Sequence, residues 1–468
     1  MGSKHDEITP EKDAYTVEVG EIGGDEGKRP GVTYDAVFGE LDDDSPNFKG
    51  LGSMGAFILM TKANIGLGVL GIPFVFMTIG LVGGVLLLIV MAVIVAYTAS
   101  IIGPFKLNHP EMYSYSDAGF IVGGRWLREY FTFNFVVGMT FVCAGAIVSV
   151  STALNALSMH GACTAIFIAV AAVAGFFLSS IRTLGNIQWL GWAGLISIAA
   201  AVLTMVVCVG IQDRPALAPQ TGPWDKDIKI FAHPSFATAM TMVSAVLFAY
   251  AATPTYFGII CEMREPRKYQ RVMLASMTLT TVMYLVLGTI VYHFCGQYVS
   301  SPALGSAGVL MKKVCYGLAL PGLLASLCIY SHLSAKLIFV RLLHGTEHLT
   351  KGTFRHWATW LGCTLGVSCT AYVLASAIPS FGAIISFMGA LFSPQGTISF
   401  FPIMWWHDNW RGKASGDRSI VMAAVNLTIF VLSIFMVVAG TYGAVVGLID
   451  SPASTRPWTC ADNSGSVE

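Results

Sequence analysis

The chain has 468 residues, 54% hydrophobic and only 12% charged, with a formal net charge of zero. A soluble domain carries roughly twice that share of charge, about 25%, and the mean hydropathy here is +0.67. Apolar runs of about 20 residues recur throughout, so the composition describes an all-α polytopic membrane protein whose partner is the lipid bilayer. A net charge of zero gives no case for a nucleic-acid partner. The ten cysteines are scattered, with no CxxC and no metal-ligand spacing, and most lie in apolar segments as small hydrophobes. No metal or cofactor is expected.

Residues 1–50 hold 13 Asp or Glu against 5 Lys or Arg and no sustained apolar period. Such a segment cannot bury enough surface to offset its ordering entropy, which predicts a disordered acidic tail. It lacks the basic start and apolar core of a signal peptide. Eleven spans are predicted in residues 51–450: Met54–Met77, Leu81–Ile102, Tyr130–Leu154, Thr164–Ser180, Ile187–Ile211, Phe236–Ile260, Val272–Cys295, Pro321–Leu343, Trp357–Ala377, Phe381–Trp405 and Ile420–Ile449. The last has about 30 residues and must tilt or project. A short tail, 451–468, ends the chain.

Loop charge sets the orientation. With the N-terminus inside, inner segments hold 19 Lys or Arg and outer segments 6. The N-terminus is therefore expected in the cytoplasm and the C-terminus on the opposite face. This topology places Cys163 and Cys460 outside, where a disulfide between them can form.

The first span is not a plain apolar helix. It contains Lys62-Ala-Asn-Ile-Gly-Leu-Gly-Val-Leu-Gly-Ile-Pro73, and backbone freed by Gly and Pro costs several kcal/mol in hydrocarbon unless protein or a wet cavity satisfies it. The sixth span is interrupted likewise at Phe248-Ala-Tyr-Ala-Ala-Thr-Pro-Thr-Tyr256, where Pro254 removes a donor. The two spans are five apart and run in opposite directions. Paired interrupted helices at matching places in two halves indicate an inverted repeat with the transport site between them; the plainer alternative is that Gly and Pro are simply commoner in membrane helices.

These residues resemble the amino acid/auxin permease family. The first span is similar to its Lys-x-x-x-Gly-x-Gly-x-Leu-Gly-x-Pro pattern, and Glu262-Met-Arg-Glu-Pro266 to its Glu-Met-x-x-Pro element. Ile378-Pro-Ser-Phe381 with Gly389-Ala390 and Phe401-Pro402 resembles its tenth span, and Tyr115-Ser-Asp-Ala-Gly119 with Gly123-Gly124 its second-to-third loop. The likeness covers about residues 50–450 and is nearest to fungal neutral amino acid permeases. It implies a five-plus-five inverted-repeat fold of the leucine-transporter type with one extra helix. It also implies amino acid uptake at the plasma membrane, commonly driven by protons; a vacuolar site is the alternative. Carboxylates are nearly absent from the spans here, a departure from the family's pattern.

For the substrate, the break in the first span offers amide donors at a helix start, which carries about half a positive charge and attracts a carboxylate. Asn64, Ile65, Gly66, Leu67 and Gly68 are the candidates, against a role for the glycines in tight helix packing. Carbonyls near Phe248, Ala249 and Tyr250, with Thr253, would take the substrate ammonium, and the Phe248 and Tyr250 rings would wall its side chain. No ionisable residue adjoins the second break, which favours a neutral L-amino acid.

For coupling, Lys62 leads, since an ammonium moving between dry and wet surroundings can lose and regain a proton; its alternative is a structural pin. His332 and Glu262 are next, Glu262 also as a gate at the inner mouth paired with Arg264 or Arg267. Ser331 and Ser334, one turn apart, would hold Na+ if sodium replaced the proton, although serines also bond back to their own helix. No HExxH, GxSxG or selectivity filter appears, so an enzyme or channel is disfavoured. A sensor on a transporter scaffold, its acidic tail serving signalling, is the alternative that uptake measurements separate from a working carrier, and the sequence says nothing of oligomeric state.

Overall fold

A computed structural model describes residues 33–35, 39–41, 51–181, 184–343, 346, 348, 353–411, 419–450 and 456–466. The chain divides into two units, Met1–Phe48 and Lys49–Glu468. In the first, strands β1 (Thr33–Asp35) and β2 (Gly39–Leu41) pair antiparallel, Tyr34 opposite Glu40. The rest of the acidic tail lies outside the described residues.

The second unit is helical. Span 1 is α1 (Ser53–Asn64), a 3-10 turn (Gly68–Gly71) and α2 (Ile72–Ile79); span 2 is α3 (Leu81–Ser100) with α4 (Ile102–Asn108). Spans 3 to 5 are α5 (Tyr115–Ser158), α6 (Thr164–Ser179) and α7 (Leu184–Ile211). Span 6 is α8 (Phe236–Ala249), a 3-10 turn (Thr253–Thr255) and α9 (Tyr256–Glu262), and span 7 is α10 (Tyr269–Cys295). Spans 8 and 9 are α11 (Val309–Leu342) and α12 (Phe354–Ala377). Span 10 is α13 (Phe381–Leu391), a wide turn (Gln395–Ser399) and α14 (Phe400–Trp406), and span 11 is α15 (Ile420–Ile449).

Among the described residues nine helices are long and apolar enough to cross a membrane, and the bent pair forming span 1 makes a tenth. The expected eleven would require α6, whose 16 residues fall short of the roughly 20 that an upright span needs. The structure therefore shows an all-helical polytopic membrane fold, with α6 as a shorter apolar helix.

Two boundaries differ from expectation for local reasons. Span 8 was expected to begin at Pro321, which cannot donate to its own helix. Instead α11 starts at Val309 and carries Pro321 inside. Ser197 of α7 spans the damaged ladder: its Oγ accepts from Gly322 N at 3.0 Å and donates to Leu318 O. Lys312, expected in an outer loop, is consequently buried in the first turns of α11, where Nζ donates to Ser464 O and Gly465 O. Span 3 begins earlier than Tyr130. A capping box of Ser114 and Asp117 starts a short helix that turns at Gly124, whose φ of +68° favours glycine. A Cβ on Gly119 would meet Phe131 at 2.7 Å, so this glycine lets the short helix fold back onto α5.

Two sets of spans emerge from the packing. Spans 3, 4, 8 and 9 pack on one another as α5, α6, α11 and α12; spans 1, 2, 6 and 7 do so as α1 to α3 and α8 to α10. The C-terminal tail ties the first set at one end. Cys163, before α6, is bonded to Cys460. Thr164 Oγ1 donates to Ala461 O, Asn155 Nδ2 to Asn463 Oδ1, and Trp458 N to Ser376 O. With Lys312, these bonds join the tail to the ends of all four spans.

Candidate functional site

The two expected breaks exist and touch. Span 1 bends by 43° between α1 and the following turn. Span 6 stops at Ala249 and resumes at Tyr256 across the Pro254 turn. A Cβ on Gly68 would lie 2.6 Å from Ala249 Cα, so backbone meets backbone at this point. The two spans run in opposite directions, since α1 packs on α9 and α2 on α8. A short parallel bridge ties one end, where Leu51 N donates to Glu262 O and Arg264 N to Leu51 O.

The broken backbone is partly tied and partly free. Ile65 N reaches Thr61 O and Gly66 N reaches Asn64 O. Among the described residues, Leu67 N and Gly68 N have no backbone acceptor, as at any helix start. In span 6, Phe248 O accepts from Ala251 N, and Pro254 has no N–H to offer Tyr250 O. Asn64, Leu67, Ala249, Tyr250 and Thr253 are buried, and Thr253 Oγ1 and Asn64 Oδ1 have no hydrogen-bond partner.

Three tyrosines that the sequence reading did not single out organise this centre. Tyr284 of α10 points its Oη at both breaks, 2.8 Å from Asn64 O and 2.9 Å from Ala249 O. One hydroxyl proton serves the two carbonyls in turn and links the interrupted spans. Asn64 Nδ2 donates to Tyr256 Oη at 2.7 Å, joining α1 to α9. Tyr330 of α11 brings its Oη within 3.4 Å of where a Gly66 Cβ would stand. A signal was present: a buried tyrosine hydroxyl needs a partner, and apolar spans offer few. Tyr284→Phe leaves both carbonyls without that donor, at a cost of about 1–3 kcal/mol. A lower melting temperature of the purified protein, with uptake reduced about tenfold, is the expected result; unchanged melting and uptake would remove Tyr284 from the centre.

The other predicted residues divide. Ser331 and Ser334 are buried on α11, with neither hydroxyl hydrogen-bonded. Tyr330, beside them, approaches span 1 at Gly66, so span 8 does face the first break. Tyr250 is turned by α10, its Oη donating to Thr281 Oγ1 and its ring edge-on to Tyr284 at 5.3 Å; Phe248 is only half-buried. Lys62 extends to span 5, where a Cβ on Gly191 would lie 2.0 Å from Nζ. Glu262 contacts Tyr113 Oη at 3.4 Å rather than an arginine. His332 is placed away from the breaks, with Nδ1 3.4 Å from Ser179 O and its ring edge-on to Trp360.

A cavity of about 210 Å³ lies between α2, α8 and α13, lined by Gly71, Phe74, Thr241, Ala245 and Ser386. A larger one of about 610 Å³ lies apart from the breaks, against Trp406, Trp410 and α15. The arrangement thus offers helix-start amides, hydroxyls and carbonyls among buried side chains.

Comparison with known proteins agrees. The model of the transmembrane amino acid transporter protein family matches residues 49–446. The chain is 35% identical over 428 residues to a protein called transmembrane transporter in Gibberella moniliformis, covering 91% of this chain and 90% of that one. It is 30% identical to the N amino acid transport system protein of Neurospora crassa, covering 90% and 91%, and 21% identical to the amino acid transporter AVT3C of Arabidopsis thaliana, covering 70% and 76%. Among solved structures, MhsT in complex with L-phenylalanine gives a TM-score of 0.46 at 12% identity, covering 83% of this chain and 98% of that one. With its model matched over most of the length, the chain belongs to the transmembrane amino acid transporter family, the amino acid/auxin permeases, and is a transporter rather than an enzyme.

Proposed function

We propose that this amino acid transporter imports neutral L-amino acids by alternating access, as a proton symporter at the plasma membrane. The observation that carries the reading is the direct contact of two interrupted spans, with free amides at Leu67 and Gly68 on one side and the Pro254 break on the other. A substrate carboxylate would sit on the helix start of span 1, and its ammonium on the carbonyls of span 6. No Asp, Glu, Arg or Lys lies in the Phe248–Tyr256 segment, which leaves a neutral substrate side chain unopposed. The proposed proton carrier is Lys62, with Glu262 and His332 as alternatives.

The packing supports a five-plus-five repeat. Shifting each span by five exchanges members within both sets: 3 with 8 and 4 with 9, 1 with 6 and 2 with 7. It also maps the contact of span 5 with span 8 onto that of span 10 with span 3. Span 11 is then the extra helix, and α6 counts as the fourth span. The Cys163–Cys460 disulfide fits an oxidising outer face for the C-terminal tail, with the N-terminus in the cytoplasm.

Labelled uptake into proteoliposomes, with pH and sodium gradients imposed separately, tests this. Leucine and phenylalanine should compete for uptake and glutamate and lysine poorly; strong inhibition by lysine would overturn the neutral assignment. An inward proton gradient should drive accumulation. A second reading, sodium as the coupling ion, is favoured by the unpartnered hydroxyls of Ser331 and Ser334 beside span 1. Accumulation under a sodium gradient alone would select it.

A further inference from the structure

Away from the breaks, the ends of spans 2 and 10 bring two imidazoles and a carboxylate to one point. His109 follows α4, and His407 and Asp408 follow α14. His109 Nε2 lies 2.8 Å and His407 Nδ1 3.1 Å from Asp408 Oδ1, and the three donor atoms all fall within 4.8 Å of one another. The neighbours orient this trio. Asn108 Nδ2 donates to Asp408 Oδ2 at 3.0 Å, which leaves Oδ1 for the centre. Glu111 Oε1 stands 3.5 Å from His109 Nδ1, on the ring side away from the trio. The buried Phe105 ring packs on both imidazoles, with centroids 4.4 Å from His109 and 6.4 Å from His407.

Donors of this kind suit a zinc-class cation, which takes His nitrogen and carboxylate oxygen at about 2.0–2.2 Å. A carboxylate on the far nitrogen of a ligating histidine is the usual outer support of such a site. The His109, His407 and Asp408 side chains are 19%, 28% and 10% exposed, so an ion can reach them from water.

We propose that His109, His407 and Asp408 form an inhibitory site for a divalent zinc-class cation that ties the ends of spans 2 and 10 together. Tetrahedral ligation at those bond lengths sets donors about 3.3 Å apart, so the 2.8 Å gap between His109 Nε2 and Asp408 Oδ1 opens by about half an ångström and a water completes the shell. The hydrogens that His109 Nε2 and His407 Nδ1 present to Asp408 Oδ1 leave those nitrogens when the ion enters, each moving to the far nitrogen of its ring or to solvent as a proton. Span 2 belongs to the set that carries both breaks, and span 10 packs on α8 of that set as well as on α5 of the other. An ion held across them opposes movement of the end of span 10 against span 2. This consequence rests on alternating access; the binding site itself does not.

The full-length protein, purified in detergent and stripped with chelator, is dialysed against Zn2+. One ion per chain should bind at micromolar concentration or tighter. His109→Gln and His407→Gln should each weaken binding by about 100-fold, and Glu111→Gln by about 10-fold. Co2+ on the unmodified chain should give the visible spectrum of four-coordinate cobalt with nitrogen and oxygen ligands, a readout that needs no variant to fold. Zn2+ on the face bearing His109 should slow uptake severalfold in the parent protein and leave His109→Gln unaffected. Failure of the parent protein to bind Zn2+ at 100 micromolar (an upper bound of about 5.5 kcal/mol), a six-coordinate cobalt spectrum, or undiminished binding by the folded His109→Gln protein would each overturn the site. Stoichiometric binding with unchanged uptake would overturn the inhibition.

Discussion

Gly66→Val should stop amino acid uptake while the protein still folds and reaches the membrane. At this position an added Cβ meets only Tyr330 Oη, at 3.4 Å, an ordinary contact. The branched methyl groups beyond it must then occupy space over the Leu67 and Gly68 amides, where the proposed substrate carboxylate binds. A fall in uptake of about 100-fold is expected, matching about 3 kcal/mol of crowding, with melting temperature nearly unchanged. Gly68→Val is expected to behave differently. Its Cβ would stand 2.6 Å from Ala249 Cα and 2.9 Å from Ala249 Cβ, and backbone cannot rotate out of the way. That variant should lose fold stability by about 3 kcal/mol along with transport. The pair thus separates substrate space from helix packing two residues apart. Normal uptake by Gly66→Val at normal surface abundance would remove the first break from the substrate site.

Gly68 also shows what a sequence can and cannot convey. The break was legible because glycine and proline are costly in hydrocarbon, and the second break was legible for the same reason at Pro254. Which glycine serves the ligand and which serves packing was not. That depends on Ala249, 181 positions along the chain and not foreseeable from local pattern. Other motif glycines have packing explanations too: a Cβ on Gly389 would lie 1.9 Å from Ser244 O, where span 10 crosses span 6. Most span boundaries followed from hydropathy, since the lipid solvent imposes a length on each helix. Pro321 misled because its effect is cancelled by Ser197 on another span, a tertiary bond that propensity does not contain. The cysteine pair was legible only as a possibility: the order of spans put Cys163 and Cys460 on one face, and the structure shows them bonded. Tyr284 was missed because a tyrosine in an apolar helix looks like packing until its hydroxyl is found between two carbonyls.

Replacing Lys62 should uncouple the transporter without emptying its substrate site. Among the described residues Lys62 is the charged side chain that adjoins the first break at membrane depth, and its Nζ occupies the space left by Gly191 on span 5. Span 5 packs on span 8 of one set, whereas α1 belongs to the other. Movement of the sets therefore changes what surrounds this ammonium, and a group whose surroundings alternate between dry and wet can alternate in protonation. One unit of pH difference supplies about 1.4 kcal/mol per proton, enough for about tenfold accumulation. Lys62→Ala should still bind substrate and exchange it across the membrane, yet its accumulation ratio under that gradient should fall to about one. Lys62→Arg should fail likewise, because guanidinium stays protonated at physiological pH. Gly191→Ala gives an independent check that leaves the lysine in place. Its Cβ would lie 2.0 Å from Nζ and displace the ammonium, so accumulation should again be lost while exchange persists. If Lys62→Ala still concentrates substrate, the proton is carried elsewhere and Glu262 becomes the residue to replace. If it neither binds nor folds, the ammonium is a structural pin between spans 1 and 5.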